Sequence, residues 1–412
     1  MNPFKLTAAL IARRPASWAF HVLVLAMAAA VTGAVLLVQQ AAEEGLQRDL
    51  AEVDLVVGAE GSPLQLVMSA LFQTDAPTGN IPLGEARRLA ADPLVARAIP
   101  LSLGDSLGTA RIVGTEPAYA DLYGARLRDG RWWTAPLEAV IGAEVARTQG
   151  LAPGDEFVGA HGLGTGGDAH EDHPYRVVGV LAPTGAVIDR LILTDLASVW
   201  VLHEAHAAEA APEHHAHVGH DHGHEASPRT EAAAREVTAV LIQYRSALGA
   251  VTLPPRIDRI PGLQAASPAR EAQRLNALLG AGAGAMARLG QGLMLVAALG
   301  FVVATSAAVL ARRRELALLT ALGCGPIRLA SLILLEAAIL GLAAGLAGWL
   351  GARGLTEAVA RWGASPLDLP TPPLAGLDVL LIAGPVLVAL LAGLPAAVIA
   401  ARTDPVRVLG ER

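Results

Sequence analysis

Four apolar stretches, spaced one and then three along the chain, decide what this sequence can fold into. They run from Ser17 to Val38, Gly292 to Leu310, Ile327 to Leu350 and Leu377 to Ala400. Each is close to the ~20 residues that cross a bilayer as an α-helix. None carries the polar face at a 3.6-residue period that a soluble surface helix needs. The third contains one acid, Glu336, and the fourth has Asp378 at its edge. The spacing predicts an N-terminal segment 1–16, a first span 17–38 and an outer region 39–290. A second span 291–311, a short loop 312–326 and a third span 327–352 follow, then an outer loop 353–375, a fourth span 376–400 and a tail 401–412. The expected fold class is a membrane α-helical protein, four transmembrane helices in a 1+3 layout, plus an α+β periplasmic domain between the first and second helices.

Charge assigns the sides. From Ala41 to Ala285 there are 31 acidic and 18 basic residues, whereas the remainder is basic. Short loops rich in Lys and Arg stay in the cytoplasm. Lys5, Arg13 and Arg14, then Arg312, Arg313, Arg314 and Arg328, then Arg402, Arg407 and Arg412, share one side only with four spans and both termini inside. The acidic region of 245 residues then lies outside, long enough for one or two domains. The first apolar run exceeds the ~7–15 residues of a secretory signal core, so it reads as a retained span. The single cysteine, Cys324, excludes an internal disulfide and leaves the outer domain to core packing.

Within the outer region, Ala41 to Asp54 and Pro268 to Gly290 read as helical extensions of the neighbouring spans, able to pair as a stalk. The first has Glu44 and Arg48 four apart, and the second repeats Leu275, Leu278, Leu279, Met286 and Leu289 at helical spacing. Between them, aliphatic runs at Val53–Val57, Ala110–Gly114, Ala139–Ile141, Arg176–Leu181, Leu191–Thr194 and Val237–Gln243 are punctuated by Gly, Pro and Asp, as strands with turns require. Helices are expected at Leu83–Ala91 and Glu144–Gln149. No nucleophile elbow or paired catalytic signature is present. Nothing points to nucleic acid.

One insert, 203–224, departs from this pattern. It holds His203, His206, His214, His215, His217, His220, His222 and His224, eight of the twelve histidines, interleaved with Glu204, Glu209, Glu213, Asp221 and Glu225. Imidazole is the commonest nitrogen ligand of Zn²⁺, and carboxylates join it. His203 and His206 would meet on a helical turn, and His220, His222 and His224 would face one way in an extended chain. The irregular spacing suits a loose, multi-site Zn²⁺ collector that releases metal on acidification. A solvated, compositionally biased spacer is the plain alternative. His161, His170 and His173 with Asp168, Glu171 and Asp172 form a weaker second cluster.

Energy for transport has no site in this chain. A P-loop needs Lys followed by Ser or Thr, and the only lysine, Lys5, precedes Leu6. If ATP drives the protein, a separate subunit must bind it.

The segment from Arg312 to Glu336, RRRELALLTALGCGPIRLASLILLE, resembles the loop of the FtsX-like, MacB-type ABC transporter permeases, the mechanotransmitting type VII systems. The tail Ala401–Leu409, ARTDPVRVL, is similar to that family's "DPVxxL" ending. Val113–Tyr119, Gly130-Arg131, Val140–Glu144 and Gly150–Asp155 resemble its periplasmic core domain. The histidine insert departs from the family pattern. The resemblance implies a permease subunit in the bacterial inner membrane, working as a homodimer or beside a related permease, with two copies of a separate ABC ATPase on the cytoplasmic face. It implies that Arg312, Arg313, Arg314, Glu315, Leu316, Leu319, Leu322 and Gly323 form the ATPase-coupling element. Physically, the leucines of such an amphipathic segment can seat in a partner's groove. Gly341 and Gly345 have the GxxxG spacing that lets helices approach, within one subunit or across a dimer. Glu336 inside a span should face protein rather than lipid.

The expected function is therefore a permease that turns ATP hydrolysis elsewhere into periplasmic conformational work, linked through its histidines to zinc homeostasis, with a periplasmic metal-binding or lipoprotein partner. Export or extraction of a lipid, lipoprotein or peptide, and FtsX-like control of a periplasmic hydrolase, are the alternatives.

Overall fold

The computed structural model describes residues 15–162, 173–209, 235–362, 376–403 and 408. The chain divides into two compact units, Gly45–Asn276 and the combination of Met1–Glu44 with Ala277–Arg412.

The first of these units is built on an eleven-stranded sheet. Its main strands are β1 (Leu55–Ala59), β2 (Val95–Leu107), β3 (Ala110–Thr115), β4 (Leu127–Gly130), β5 (Glu138–Ile141), β6 (Tyr175–Leu181), β7 (Leu191–Asp195), β8 (Ala239–Tyr244) and β9 (Leu263–Ala266). They lie in the order β9-β1-β8-β2-β3-β7-β5-β6-β4, parallel at β3/β7 and β5/β6 and antiparallel elsewhere. Alternate side chains of a strand point to opposite faces, and here both faces are covered. Val56, Ile99, Leu101, Val113, Val140, Leu193 and Leu241 enter one continuous core. On the other face, Leu55, Val57, Val240 and Ile242 join one cluster, and Ile112, Ala139, Ile141 and Ile192 another. Covering on both faces is why these strands read as unbroken apolar runs instead of alternating ones. The long β2 joins the halves: its start pairs with β8 and its end with β3.

The expected strands are all present, within two residues at most ends. The run expected at Val237–Gln243 is split. Glu236–Val237 pairs with Ile81–Pro82, and β8 starts at Ala239 because the intervening Thr238 turns its hydroxyl inward to accept from the Leu103 amide at 3.0 Å.

The end of the first helix is fastened into this unit. Helix α1 spans Pro15–Leu50, four residues short of the expected Asp54, and Ala51 leaves it at φ 46°. Asp49 Oδ1 accepts from the Val187 amide at 2.7 Å, and Arg48 Nη1 donates to the Gly185 carbonyl at 3.0 Å. Gly185 sits at φ +73°, a left-handed conformation that favours glycine. Asp189 holds the same loop by accepting from the Thr184 amide and hydroxyl and the Gly185 amide. Nearby, burial pushes the Tyr119 phenol up to about 12.

Further helices in that unit include α2 (Pro63–Ala70), α3 (Leu83–Ala90), α4 (Leu196–Glu209) and α5 (Ala247–Ile257). The remaining long helices are α6 (Pro268–Ala311), α8 (Pro326–Trp362) and α9 (Gly376–Ala401), with the short α7 (Arg313–Ala321) between α6 and α8. Among the described residues, four helices are long and apolar enough to cross a membrane, over Trp18–Leu50, Gly284–Ala311, Pro326–Val359 and Gly376–Ala401. The loop expected at 353–375 is helical as far as Trp362. Ala352 and Thr356 are buried, and the Thr356 hydroxyl donates to the Ala352 carbonyl, so nothing stops the helix at 352.

Glycines set how α8 packs. A Cβ on Gly341 would meet Ala389 Cβ at 2.8 Å, and one on Gly345 would meet the Ile382 carbonyl oxygen at 2.5 Å, both on α9. On the next turns, Gly348 and Gly351 face Ala29 and Ala30 of α1 at 2.6 and 2.9 Å. The GxxxG pair therefore serves packing within one chain, and α8 uses successive small residues to approach two neighbours.

Candidate functional site

The loop between α6 and α8 is shaped by its own backbone rules. Helix α7 ends in a Schellman turn: the Gly323 amide donates to the Thr320 carbonyl and the Cys324 amide to the Leu319 carbonyl, each at 3.0 Å, with Gly323 at φ +94°. That turn requires a left-handed residue after the last helical turn, which is why glycine follows "TAL". Pro326 then occupies the first position of α8, where its missing N–H is harmless.

The leucines of α7 divide between the chain itself and solvent. Leu316 is buried, joining Val309, Leu329, Ile333 and Ala397. Leu319 is half-buried beside that cluster. Leu318, Leu322 and Ile327 are outward, at 53, 84 and 83 % exposure. Of the expected coupling leucines, Leu322 is therefore on the outside, Leu319 is half-covered and Leu316 is turned inward, while Leu318 and Ile327 are further exposed apolar side chains. Helical spacing identified an apolar stripe, but Leu316 is the residue that seats α7 on its own bundle. Glu315, Arg313 and Arg314 are exposed, as is Gly323.

Behind α7 lies a cavity of about 370 Å³ whose lining includes Trp18, Thr305, Arg312, Leu319, Ile333 and Glu336. Glu336 faces protein, as its position in an apolar stretch requires; it is 4 % exposed, with Arg312 Nη1 3.6 Å from its Oε1.

A second polar cluster is almost silent in the sequence. Asp378, in the first turn of α9, accepts from Arg353 Nη2 through both oxygens at 2.8 Å and from the Trp349 indole at 2.6 Å. Along the chain Asp378 stands out only as an acid at a span edge. Arg353 and Trp349, four apart on α8, carry the only other signal.

Helix α4 contains His203 and His206, the first two histidines of the insert. His214, His215, His217, His220, His222 and His224 lie outside the described residues, as do His170, Asp168, Glu171 and Asp172 of the weaker cluster. Among the described residues no group of three or more His, Cys, Asp or Glu is placed to hold a metal. Trp200, on α4 before the insert, contacts the chain where the described residues resume. Its indole donates to the Glu236 carbonyl at 2.8 Å, and Arg235 lies over its ring at 4.9 Å.

Comparison with known proteins follows the division of the fold. The profile described as the MacB-like periplasmic core domain matches residues 21–247, and that of the FtsX-like permease C-terminal matches residues 291–406. No curated protein sequence matches the chain. Among solved structures, the chain is similar to the periplasmic region of MacB from Actinobacillus actinomycetemcomitans, at 11% identity over 55% of this chain and 95% of that one, with a TM-score of 0.34. It is also similar to the extracellular domain of the noncanonic ABC-type transporter YknZ from Gram-positive bacteria, at 12% identity over 52% and 98%, with a TM-score of 0.28. With a core-domain profile spanning more than half of its residues and a permease profile over its last three long apolar helices, this chain belongs to the MacB/FtsX-like family of ABC transporter permeases, as a transmembrane subunit that is not itself the ATPase.

Proposed function

We propose that this permease receives its ATPase on the α7 segment and applies the resulting movement to a zinc-linked task on the periplasmic side. The observation that carries the coupling reading is the pair of uncovered leucines, Leu318 and Leu322, on a short helix flanked by Arg312, Arg313 and Arg314 and fixed from behind by Leu316. A helix seated by one face and apolar on the other is suited to a groove on a partner. Leu322→Glu is expected to reduce co-purification of the ATPase by tenfold or more, the scale of losing a buried leucine anchor, with the permease level in the membrane unchanged. Equal capture by the variant would move the docking site elsewhere.

The metal part rests on composition and on the position of the insert. Eight histidines within 203–224 provide neutral imidazoles for Zn²⁺ beside carboxylates. Trp200 contacts Arg235 and Glu236, residues outside 203–224, so a deletion of that segment removes neither side of this contact. Zinc is then cargo or signal, handed to or taken from a periplasmic metal-binding or lipoprotein partner. The permease acts as a pair, with a second copy or a related subunit, and with both termini on the ATPase side. Deleting 203–224 is expected to lower growth under a zinc chelator and the zinc retained by the purified protein, while ATPase capture persists. Unchanged growth and zinc content would remove the metal reading and leave the coupling reading standing.

A further inference from the structure

Helix α5, in the sheet unit, is apolar on both faces. Its inner side is Gly249, Leu253 and Ile257, all buried. Leu253 and Ile257 join the cluster around Val240, and a Cβ on Gly249 would meet the Tyr244 ring at 2.9 Å. Its outer side is Leu248, Val251 and Pro255, three and four residues apart and so on one stripe. Leu248 is 62 % exposed and Val251 75 %. Among the described residues of Gly45–Asn276, no other large apolar side chain is more than half exposed. Helix α3 of the same unit shows the ordinary arrangement: Leu83, Ala86 and Leu89 face in, while Arg87 and Arg88 face water. A helix that is apolar all round is normally covered all round.

Charge narrows what covers it. Residues 246–255 contain no ionisable side chain, within a region, 41–285, that carries 31 acidic against 18 basic residues. The arginines at either end of the stretch are tied back to the same unit. Arg245 donates to the Pro93 and Val95 carbonyls at 3.2 and 3.0 Å, and Arg256 pairs with Asp92. Two copies of a region with net negative charge repel each other over most of their surface, and meet at least cost where that surface is neutral. A helix made to lie on a membrane carries Lys and Arg along a polar face instead.

We infer that the outer stripe of α5 meets the same stripe of a second copy of this chain. The contact is isologous, with Val251 at the two-fold crossing and Leu248 and Pro255 on either side of it. Ala247, Ala250 and Thr252 flank the stripe with short side chains, so two helices can close on each other. The inference rests on the reading of the permease as a pair, and it makes the two members identical. Alone, the stripe is far below the ~800 Å² per partner of a standard interface. Copies already paired in the membrane hold it at an effective concentration of millimolar order, at which a small contact forms.

The test uses the single cysteine. Cys324→Ala leaves the full-length chain without a thiol, so one introduced cysteine reports one contact. Cys324→Ala chains carrying Val251→Cys or Leu248→Cys are oxidised in membranes, beside Arg87→Cys as an exposed position on α3. A bridge needs Cα atoms within ~7 Å, so Val251→Cys should give about tenfold more disulfide-linked dimer than Arg87→Cys. Leu248→Glu, which sets a charge against the facing apolar stripe, should lower the Val251→Cys bridge about tenfold. Native mass spectrometry of the Cys324→Ala chain released from nanodiscs counts the copies separately. A single copy would overturn the pairing of identical chains and this contact with it. Two copies, with bridging at Val251→Cys and Leu248→Cys no higher than at Arg87→Cys, would overturn the contact alone and leave the stripe to a different protein or to lipid.

Discussion

Gly345→Leu is expected to destabilise the helix bundle by about 3 kcal/mol, at the upper end of the range for overpacking. The position has no room to yield. A Cβ there would stand 2.5 Å from the Ile382 carbonyl oxygen and 3.2 Å from its carbonyl carbon and Cα. These are backbone atoms of α9, so the strain cannot be relieved by turning a side chain. The helices would have to separate, and in lipid their association relies on close van der Waals contact, because burial from water no longer drives it. Gly292 on α6 is the control, since nothing lies within 4 Å of a Cβ there. The check is thermal unfolding of the two variants in the same detergent: Gly345→Leu should unfold well below wild type and Gly292→Leu close to it. Matching curves would mean that α8 and α9 do not meet through Gly345.

How far the sequence showed all this depended on whether the information was local. The four spans were legible because hydrocarbon length and apolar content are properties of a contiguous stretch. The strands were legible for a similar reason: with both faces of the sheet covered, Leu55–Val57 or Leu191–Leu193 are apolar without interruption. What failed was anything needing knowledge of a neighbour. Helical spacing grouped Leu316 with Leu322, but whether a leucine faces its own bundle or solvent depends on where Val309, Leu329 and Ile333 lie. The GxxxG pair could serve one subunit or two until Ile382 and Ala389 were placed opposite. The histidine bias was plain, whereas the bond from the Trp200 indole to the Glu236 carbonyl joins residues 36 apart in sequence.

The same limit hid the cluster around Asp378, whose replacement should be the most costly single change in the bundle. Asp378 is 7 % exposed and accepts a two-oxygen fork from Arg353 together with the Trp349 indole. Asp378→Leu takes away the acceptor on which all of these bonds end while the guanidinium stays among apolar helices. Breaking a buried pair from one side costs about 3–5 kcal/mol. The comparison that isolates the pair is a double-mutant cycle. Arg353→Met alone should also destabilise, because it leaves the carboxylate without its fork, but Arg353→Met with Asp378→Leu should recover most of the loss, since exchanging a whole buried ion pair for apolar side chains is often close to neutral. Unfolding of the four proteins in one detergent measures the coupling. A double variant as unstable as the sum of the singles would show that the two side chains act independently and that α8 and α9 are joined by their glycine contacts alone. Strong coupling would instead give the bundle two fastenings of different chemistry between the same helices, a charged one at Asp378 and a steric one at Gly341 and Gly345, so that a movement of α8 must carry α9 with it.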